Sequence, residues 1–284
     1  MLGADTTERF GFVLAFDAGY ARMATALVHS LNHFHPGRPI RVYAMEEDVG
    51  VLQRWAKDFC DVEVRRYLQA GRFSFGEWHP LVWAKLEAFA DEDQSCQVVL
   101  DVDQILYRSL SGCIAEALSA GKTISASPDI SSLRDHVLPS FTGEPLGALE
   151  QVSCFNAGAM VVRPSRDIYR ELVHLALEHH AHVRLPEQAV LNLWARRHEG
   201  HHDLGEKFMI QPWSPRVLEL GSPSCLIHFW TPRPAFFGSS PLRTTEPSLK
   251  ECLSTFERET GQCYPLDRFE QDFLLRLQNR MARP

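Results

Sequence analysis

The chain has 284 residues, 45% of them apolar, with 29 basic against 36 acidic side chains and a formal charge of −7. That size and apolar share suit one large α/β domain with a full core, while the acidic balance argues against a phosphate-backbone partner, so no nucleic acid is expected. Residues 1–10 carry Asp5, Glu8 and Arg9 without an apolar stretch, and no later run reaches the about 18 apolar residues of a spanning helix. A soluble, cytoplasmic protein without a transmembrane segment is expected. The seven cysteines are an odd number, widely spaced and without a CxxC pair, which reads as reduced core thiols.

Residues 11–16 are a continuous apolar run, followed by Tyr20, Ala24, Leu27, Val28, Leu31 and Phe34 at helical spacing and closed by Gly37. Residues 40–45 read as a second strand, 49–59 as a short helix and 62–67 as a third strand. This βαβαβ alternation predicts an α/β fold with a mainly parallel central sheet flanked by helices and ligands held at the carboxyl ends of the strands. Pro80 suits a first helical turn; Val82, Leu86 and Phe89 give that helix an apolar face, with Lys85 off it.

Residues 97–100 form a buried strand, and Asp101 and Asp103 follow directly. In extended backbone, residues i and i+2 project to one side, so these two carboxylates converge while Val102 points away. Next come a helix over 111–120, a strand over 123–127, and an irregular stretch over 129–151 that reads as a lid or acceptor loop. A strand over 159–162 is entered through Phe155, Asn156, Ala157 and Gly158, and helices over 166–180 and 187–197 follow. Short strands are expected at 208–210 and 225–229, and a last helix over 266–281 with Phe269, Phe273, Leu274, Leu277 and Met281 on one stripe.

Two carboxylates at i, i+2 can hold a hard divalent cation and leave positions open for phosphate oxygens and water. A DxD alone is weak; its place after Val98, Val99 and Leu100 strengthens it. His228, in an apolar strand-like run, reads first as a core histidine, yet a neutral imidazole added to two carboxylates suits Mn2+. The histidines at 174, 179, 180, 182, 198, 201 and 202 read as exposed helix ends, with the i, i+4 pair His198 and His202 as the weaker zinc reading. Gly19 and Gly37 form neither a dinucleotide nor an ATP motif.

Several segments, in order, resemble the family 8 retaining glycosyltransferases, the galactosyltransferase and glycogenin group, over most of residues 12–235. They are Ala15-Phe16-Asp17-Ala18-Gly19-Tyr20, Trp83-Ala84-Lys85-Leu86, Val99-Leu100-Asp101-Val102-Asp103, and Phe155-Asn156-Ala157-Gly158 with Met160-Val161-Val162. The combination is far more specific than any one of them. It implies a GT-A (Rossmann-like) nucleotide-diphospho-sugar transferase fold, a UDP-sugar donor, and Mn2+ (Mg2+ as the alternative) on Asp101, Asp103 and His228. Phe16, Asp17, Tyr20, Lys85, Asp101 and Val102 would then bind the donor. Asn156 and Asp129, the latter in Ser127-Pro128-Asp129, would meet the sugar, and Glu187 and Gln188 would lie beside the anomeric carbon.

Two departures stand out. The family usually has Asp where this chain has Glu187, and after His228-Phe229 its Gly and Lys-Pro-Trp give way to Trp230-Thr231-Pro232-Arg233-Pro234-Ala235-Phe236. Arg233 is the expected phosphate clasp. The resemblance implies transfer of a hexose, glucose or galactose favoured, with retention, to a glycan, small-molecule or protein acceptor that it does not identify. The alternatives are a nucleotide-sugar-binding protein without turnover and a sugar nucleotidyltransferase. Residues 1–245 are expected to form the GT-A domain and 246–284 a helical extension packed on it or on a twin subunit, with peripheral membrane contact as the other reading.

Overall fold

The computed structural model describes residues 9–73, 79–106, 108–210 and 225–228. The leading βαβαβ unit forms as expected: β1 (Phe10–Ala15), α1 (Ala21–Phe34), β2 (Ile40–Ala44), α2 (Glu46–Ala56) and β3 (Val62–Arg66). β1 is apolar without alternation because it is covered on both faces, and it pairs in parallel with β2 and with β4 (Cys96–Leu100). α2 starts earlier than its apolar spacing suggested, since Glu46, Glu47 and Asp48 favour the positive end of the helix dipole.

The later elements are β5 (Gln104–Leu106), α3 (Ser111–Ala120), β6 (Ile124–Ser132), α4 (Leu146–Leu149), β7 (Ser153–Val162), α5 (Arg166–His179), α6 (Pro186–His198), β8 (His201–Asp203), β9 (Met209–Ile210) and β10 (Leu226–His228). Seven strands form one sheet in the order β3-β2-β1-β4-β7-β6-β8. Every pairing in it is parallel except those of β7 with β4 and β6. β5, β10 and β9 form a second sheet, in which β10 runs against β5 and along β9.

Side-chain alternation splits the main sheet between two cores. Phe12, Leu14, Val98 and Leu100 face Ala24, Leu27, Val28 and Leu31 of α1. Val13, Val99, Met160 and Val162 face the other way, toward α5, α6 and the segment Pro80–Phe89.

Two expectations change, and two short strands are new. Pro80–Phe89 is a 3-10 helix with seven buried residues, Lys85 among them, because β1, β4, α5 and α6 all pack on it and leave no polar side. The stretch from 129 is no free loop at its start. β6 runs on to Ser132 through register breaks around Pro128, whose missing N–H interrupts the ladder, and a 3-10 turn Leu133–His136 closes on a Ser132/Asp135 capping box. β5 and β8, three residues each, carry no pattern long enough to mark them.

Cys96, Cys113, Cys154 and Cys225 are buried thiols outside any disulfide, as expected of core thiols, whereas the Cys60 thiol is exposed. No helix among the described residues is long and apolar enough to cross a membrane. The expected C-terminal helix and extension lie outside the described residues.

Candidate active site

β4 ends at Leu100, and Asp101 donates its backbone N–H to Gly158 O at 2.7 Å, so the chain turns just where two carboxylates emerge. His228 arrives from the far end of the described chain because β10 pairs antiparallel with β5, putting His228 opposite Gln104. Its Nε2 lies 3.1 Å from Asp103 Oδ1 and 3.7 Å from Asp101 Oδ2. One ligand atom from each of the three lies within 4.8 Å of the others, and no other such group of three occurs among the described residues. Gly158 makes room for the ring: a Cβ there would sit 2.4 Å from His228 Cε1. The set fits a divalent cation, since two hard oxygens and one imidazole converge from one side.

Lys85 and Glu187 form the floor. Lys85 Nζ lies 2.7 Å from Asp101 Oδ1 and 2.7 Å from Glu187 Oε1, and donates to Ala157 O at 3.4 Å. Burial alone would lower the ammonium pKa, but the Asp101 and Glu187 charges and hydrogen bonds win and raise it. Burial pushes the Asp101 carboxyl above the usual carboxylate range; Lys85 opposes this and Asp103 adds to it. Glu187, in the first turn of α6, also sits at the favourable end of that helix's dipole.

Beside this floor lies a closed hydrogen-bond network. Asp129 accepts from the Ser131 N–H and hydroxyl at 3.0 and 2.7 Å through Oδ1, and from Asn156 Nδ2 and Gln188 Nε2, both at 3.0 Å, through Oδ2. Through these contacts Asp129, which also lines the cleft, orients Asn156 and Gln188. Burial works against the Asp129 charge, but the Ser131 and Asn156 bonds hold its pKa below the usual range. Gln188 Oε1 accepts the Ala157 N–H at 2.8 Å, and Asn156 Oδ1 accepts the Gly158 N–H at 2.8 Å.

Asn192 and His136 had no role in the sequence reading. Asn192, one turn after Gln188, exchanges hydrogen bonds with the Phe155 N–H and carbonyl at 2.9 and 3.0 Å and so fixes α6 against β7. The i, i+4 spacing of Gln188 and Asn192 on one helix face was the available signal. His136 contacts Gln188 from the 3-10 turn, and nothing in its irregular surroundings marked it.

Lys85, Asp101, Asp103, His228, Glu187, Asp129, Asn156 and Gln188 line a cleft of about 840 Å³ that also takes in Phe16, Asp17, Tyr20 and Val102. Asp17 caps its turn by accepting the Gly19 N–H at 2.8 Å. The Phe16 ring packs edge-on against Trp55 at 5.5 Å and is buried, whereas Tyr20 stands exposed at the rim. The residues expected to bind donor, metal and sugar thus converge on one cleft, apart from Arg233, which lies outside the described residues. The lining carboxylates are Asp17, Asp101, Asp103, Asp129 and Glu187, and Lys85 is the one Lys or Arg among the described lining residues. A diphosphate would meet net repulsion here unless a cation came with it.

The histidine-dense region does not gather a site. His198 ends α6, Glu199 takes a left-handed φ of 48°, and His202 lies on β8, so the i, i+4 pair does not share a helix. His179, expected at an exposed helix end, is buried against Phe141 at 4.9 Å, and half-buried His201 stacks on Phe155 at 4.6 Å.

No family model and no curated protein matches the chain in sequence. Solved structures do match. The galactosyltransferase LgtC, in complex with donor and acceptor sugar analogues, aligns at a TM-score of 0.57 and 15% identity, covering 93% of this chain and 99% of that one. The bifunctional glycosyltransferase WbbM aligns at 0.58 and 14%, covering 97% of this chain and 53% of that one. Mouse xyloside xylosyltransferase 1 aligns at 0.52 and 13%, covering 79% and 99%. At such identities the likeness shows the fold, and the chain has the GT-A glycosyltransferase fold.

Proposed function

We propose that this chain is a glycosyltransferase of the family 8 kind that moves a hexose, glucose or galactose, from a UDP-sugar to an acceptor hydroxyl with retention of anomeric configuration. The observation that carries the reading is the meeting, at the ends of β4 and β7, of the Asp101, Asp103 and His228 donor set with the Asn156 and Gln188 carboxamides. Asp101, Asp103 and His228 would hold Mn2+, or Mg2+ with less help from the imidazole. Once bound, the cation offsets the charge that develops on the departing diphosphate.

The remaining residues divide the work. Asp17 and Tyr20 border the end of the cleft suited to the nucleoside. Lys85 bridges Asp101 and Glu187 and adds positive charge beneath the phosphates. Asn156 presents its carboxamide to the hexose. Glu187, one methylene longer than the family's usual Asp, spans the distance to Lys85.

Gln188 has its oxygen on the Ala157 N–H and its nitrogen on Asp129, so it faces the reaction centre as a fixed dipole, a poor nucleophile by chemistry and by its bonding. This supports attack from the leaving group's own face. The acceptor oxygen bonds to the anomeric carbon as the bond from that carbon to the phosphate oxygen breaks, and the diphosphate takes the acceptor's proton.

Thermal-shift titration with Mn2+ and UDP, followed by assay of UDP release from a panel of UDP-sugars, tests the reading. Stabilisation by Mn2+ with UDP and release from a UDP-hexose are expected. Stabilisation without release would identify a nucleotide-sugar binder, and a response to an NTP with a sugar-1-phosphate would identify a nucleotidyltransferase.

A further inference from the structure

His136 is fully buried, yet it belongs to no apolar pattern. Its turn is held on two sides. The Ser132 N–H and hydroxyl both donate to Asp135 Oδ2, at 2.9 and 2.8 Å, and the His136 carbonyl accepts N–H groups of Arg184 at 2.7 Å and Leu185 at 3.3 Å. The second tie joins the turn to the residues leading into α6, so ring and helix keep a fixed spacing. The ring Nε2 then lies 2.6 Å from Ser131 Oγ and 3.3 Å from Gln188 Nε2, and Nδ1 is buried without a partner.

The Gln188 carboxamide has one sensible orientation: its oxygen meets the Ala157 N–H and its nitrogen meets Asp129. An amide nitrogen carries two hydrogens in one plane. With one directed at Asp129, the other points toward the imidazole. That contact attracts only if Nε2 offers a lone pair, which puts the ring proton on Nδ1. The Ser131 hydroxyl is then shared between Nε2 and Asp129 Oδ1, and Oδ1 keeps the Ser131 backbone N–H in either case. Burial holds His136 below its ordinary pKa against the pull of Asp129, Asp135 and Glu187, which favours the neutral ring.

We propose that His136 is a positioning residue: as a neutral imidazole accepting at Nε2, it holds the second amide proton of Gln188 and fixes that carboxamide at the reaction centre. The consequence for transfer rests on the function proposed above; the hydrogen bond does not.

Two measurements decide it. Ring ¹⁵N shifts of His136 in the unaltered protein assign the tautomer: an unprotonated Nε2 is expected, and a protonated Nε2 overturns the proposal. His136→Phe keeps a buried ring without an acceptor, whereas His136→Gln puts a carboxamide oxygen near the place of Nε2. With a UDP-hexose donor, His136→Phe should lower kcat roughly tenfold, the scale of one misdirected hydrogen bond, leaving the donor KM within about twofold, and His136→Gln should restore most of kcat. An unchanged kcat in His136→Phe, or equal loss in both variants, overturns the proposal. Should His136→Phe not fold, the tautomer and the activity of His136→Gln carry the decision. If the unaltered protein releases UDP from no nucleotide sugar, the transferase reading fails, and the ring measurement still decides this one.

Discussion

On one wall of the cleft, Asp101, Asp103 and His228 crowd within 4.8 Å, with Lys85 shared between Asp101 and Glu187. On the other wall, Asp129 fills its oxygens with Ser131, Asn156 and Gln188, and Gln188 fills its own sites with Ala157, Asp129 and His136. Both walls are polar and largely buried, but the first gathers like charges and the second gathers matched donors and acceptors. A wall of the first kind is poised for a cation, and a wall of the second kind keeps its shape when nothing is bound. The GT-A fold allows the division because β4 ends at the first wall while β6, β7 and α6 meet at the second.

Charge removal should break this contrast most visibly. Lys85→Met leaves Glu187 buried against Asp101 without their shared ammonium and should cost about 3–5 kcal/mol of stability, read from urea denaturation. Coupling this change to Glu187→Gln should recover part of the loss, and a stability unchanged by Lys85→Met would show that the floor carries no such strain. Asp103→Ala should weaken Mn2+-dependent UDP binding at least about a hundredfold, or about 2.7 kcal/mol, by titration calorimetry. Full retention of that binding would remove the cation from the first wall.

Smaller effects sharpen the comparison. Gly158→Ala puts a Cβ against the His228 ring and should cost about 1–3 kcal/mol; because His228 is displaced, Mn2+ affinity should fall while the Asn156 side of the cleft keeps its structure. The smallest effect concerns pH. Asp129 has a depressed pKa in the folded protein, so its contribution is present above the unfolded carboxylate value of about 3.9 and is lost as pH falls through the lower folded value. The Tm difference between the unaltered protein and Asp129→Asn should therefore shrink as the solution is acidified through that window. A constant difference would mean that Asp129 is not held by its partners as an anion.

Legibility followed the range of the interactions. The βαβαβ unit and the buried strand before Asp101 were plain because apolar periodicity is local. Lys85 was misplaced as lying off its helix's apolar face, since a helix packed from several sides has no polar side to predict. The hold of Asp129 on Asn156 and Gln188 was not legible, because its hydrogen-bond partners are chosen only in three dimensions. His136 was invisible in an irregular stretch, and the His198 and His202 pair was misleading because α6 ends between them.

The sequence by itself determined the strand-end carboxylates, the apolar strands that carry them and the order of the segments around them, since each depends on neighbours a few residues away. Tertiary structure decided the rest. It brought His228 to Asp103 through the pairing of β10 with β5, joined Lys85 to Glu187 across the cleft floor, and set His136 against Gln188. Those contacts form between residues far apart in the chain, where no local spacing records which polar group will meet which, and only packing of the two cores around the sheet selects the partners.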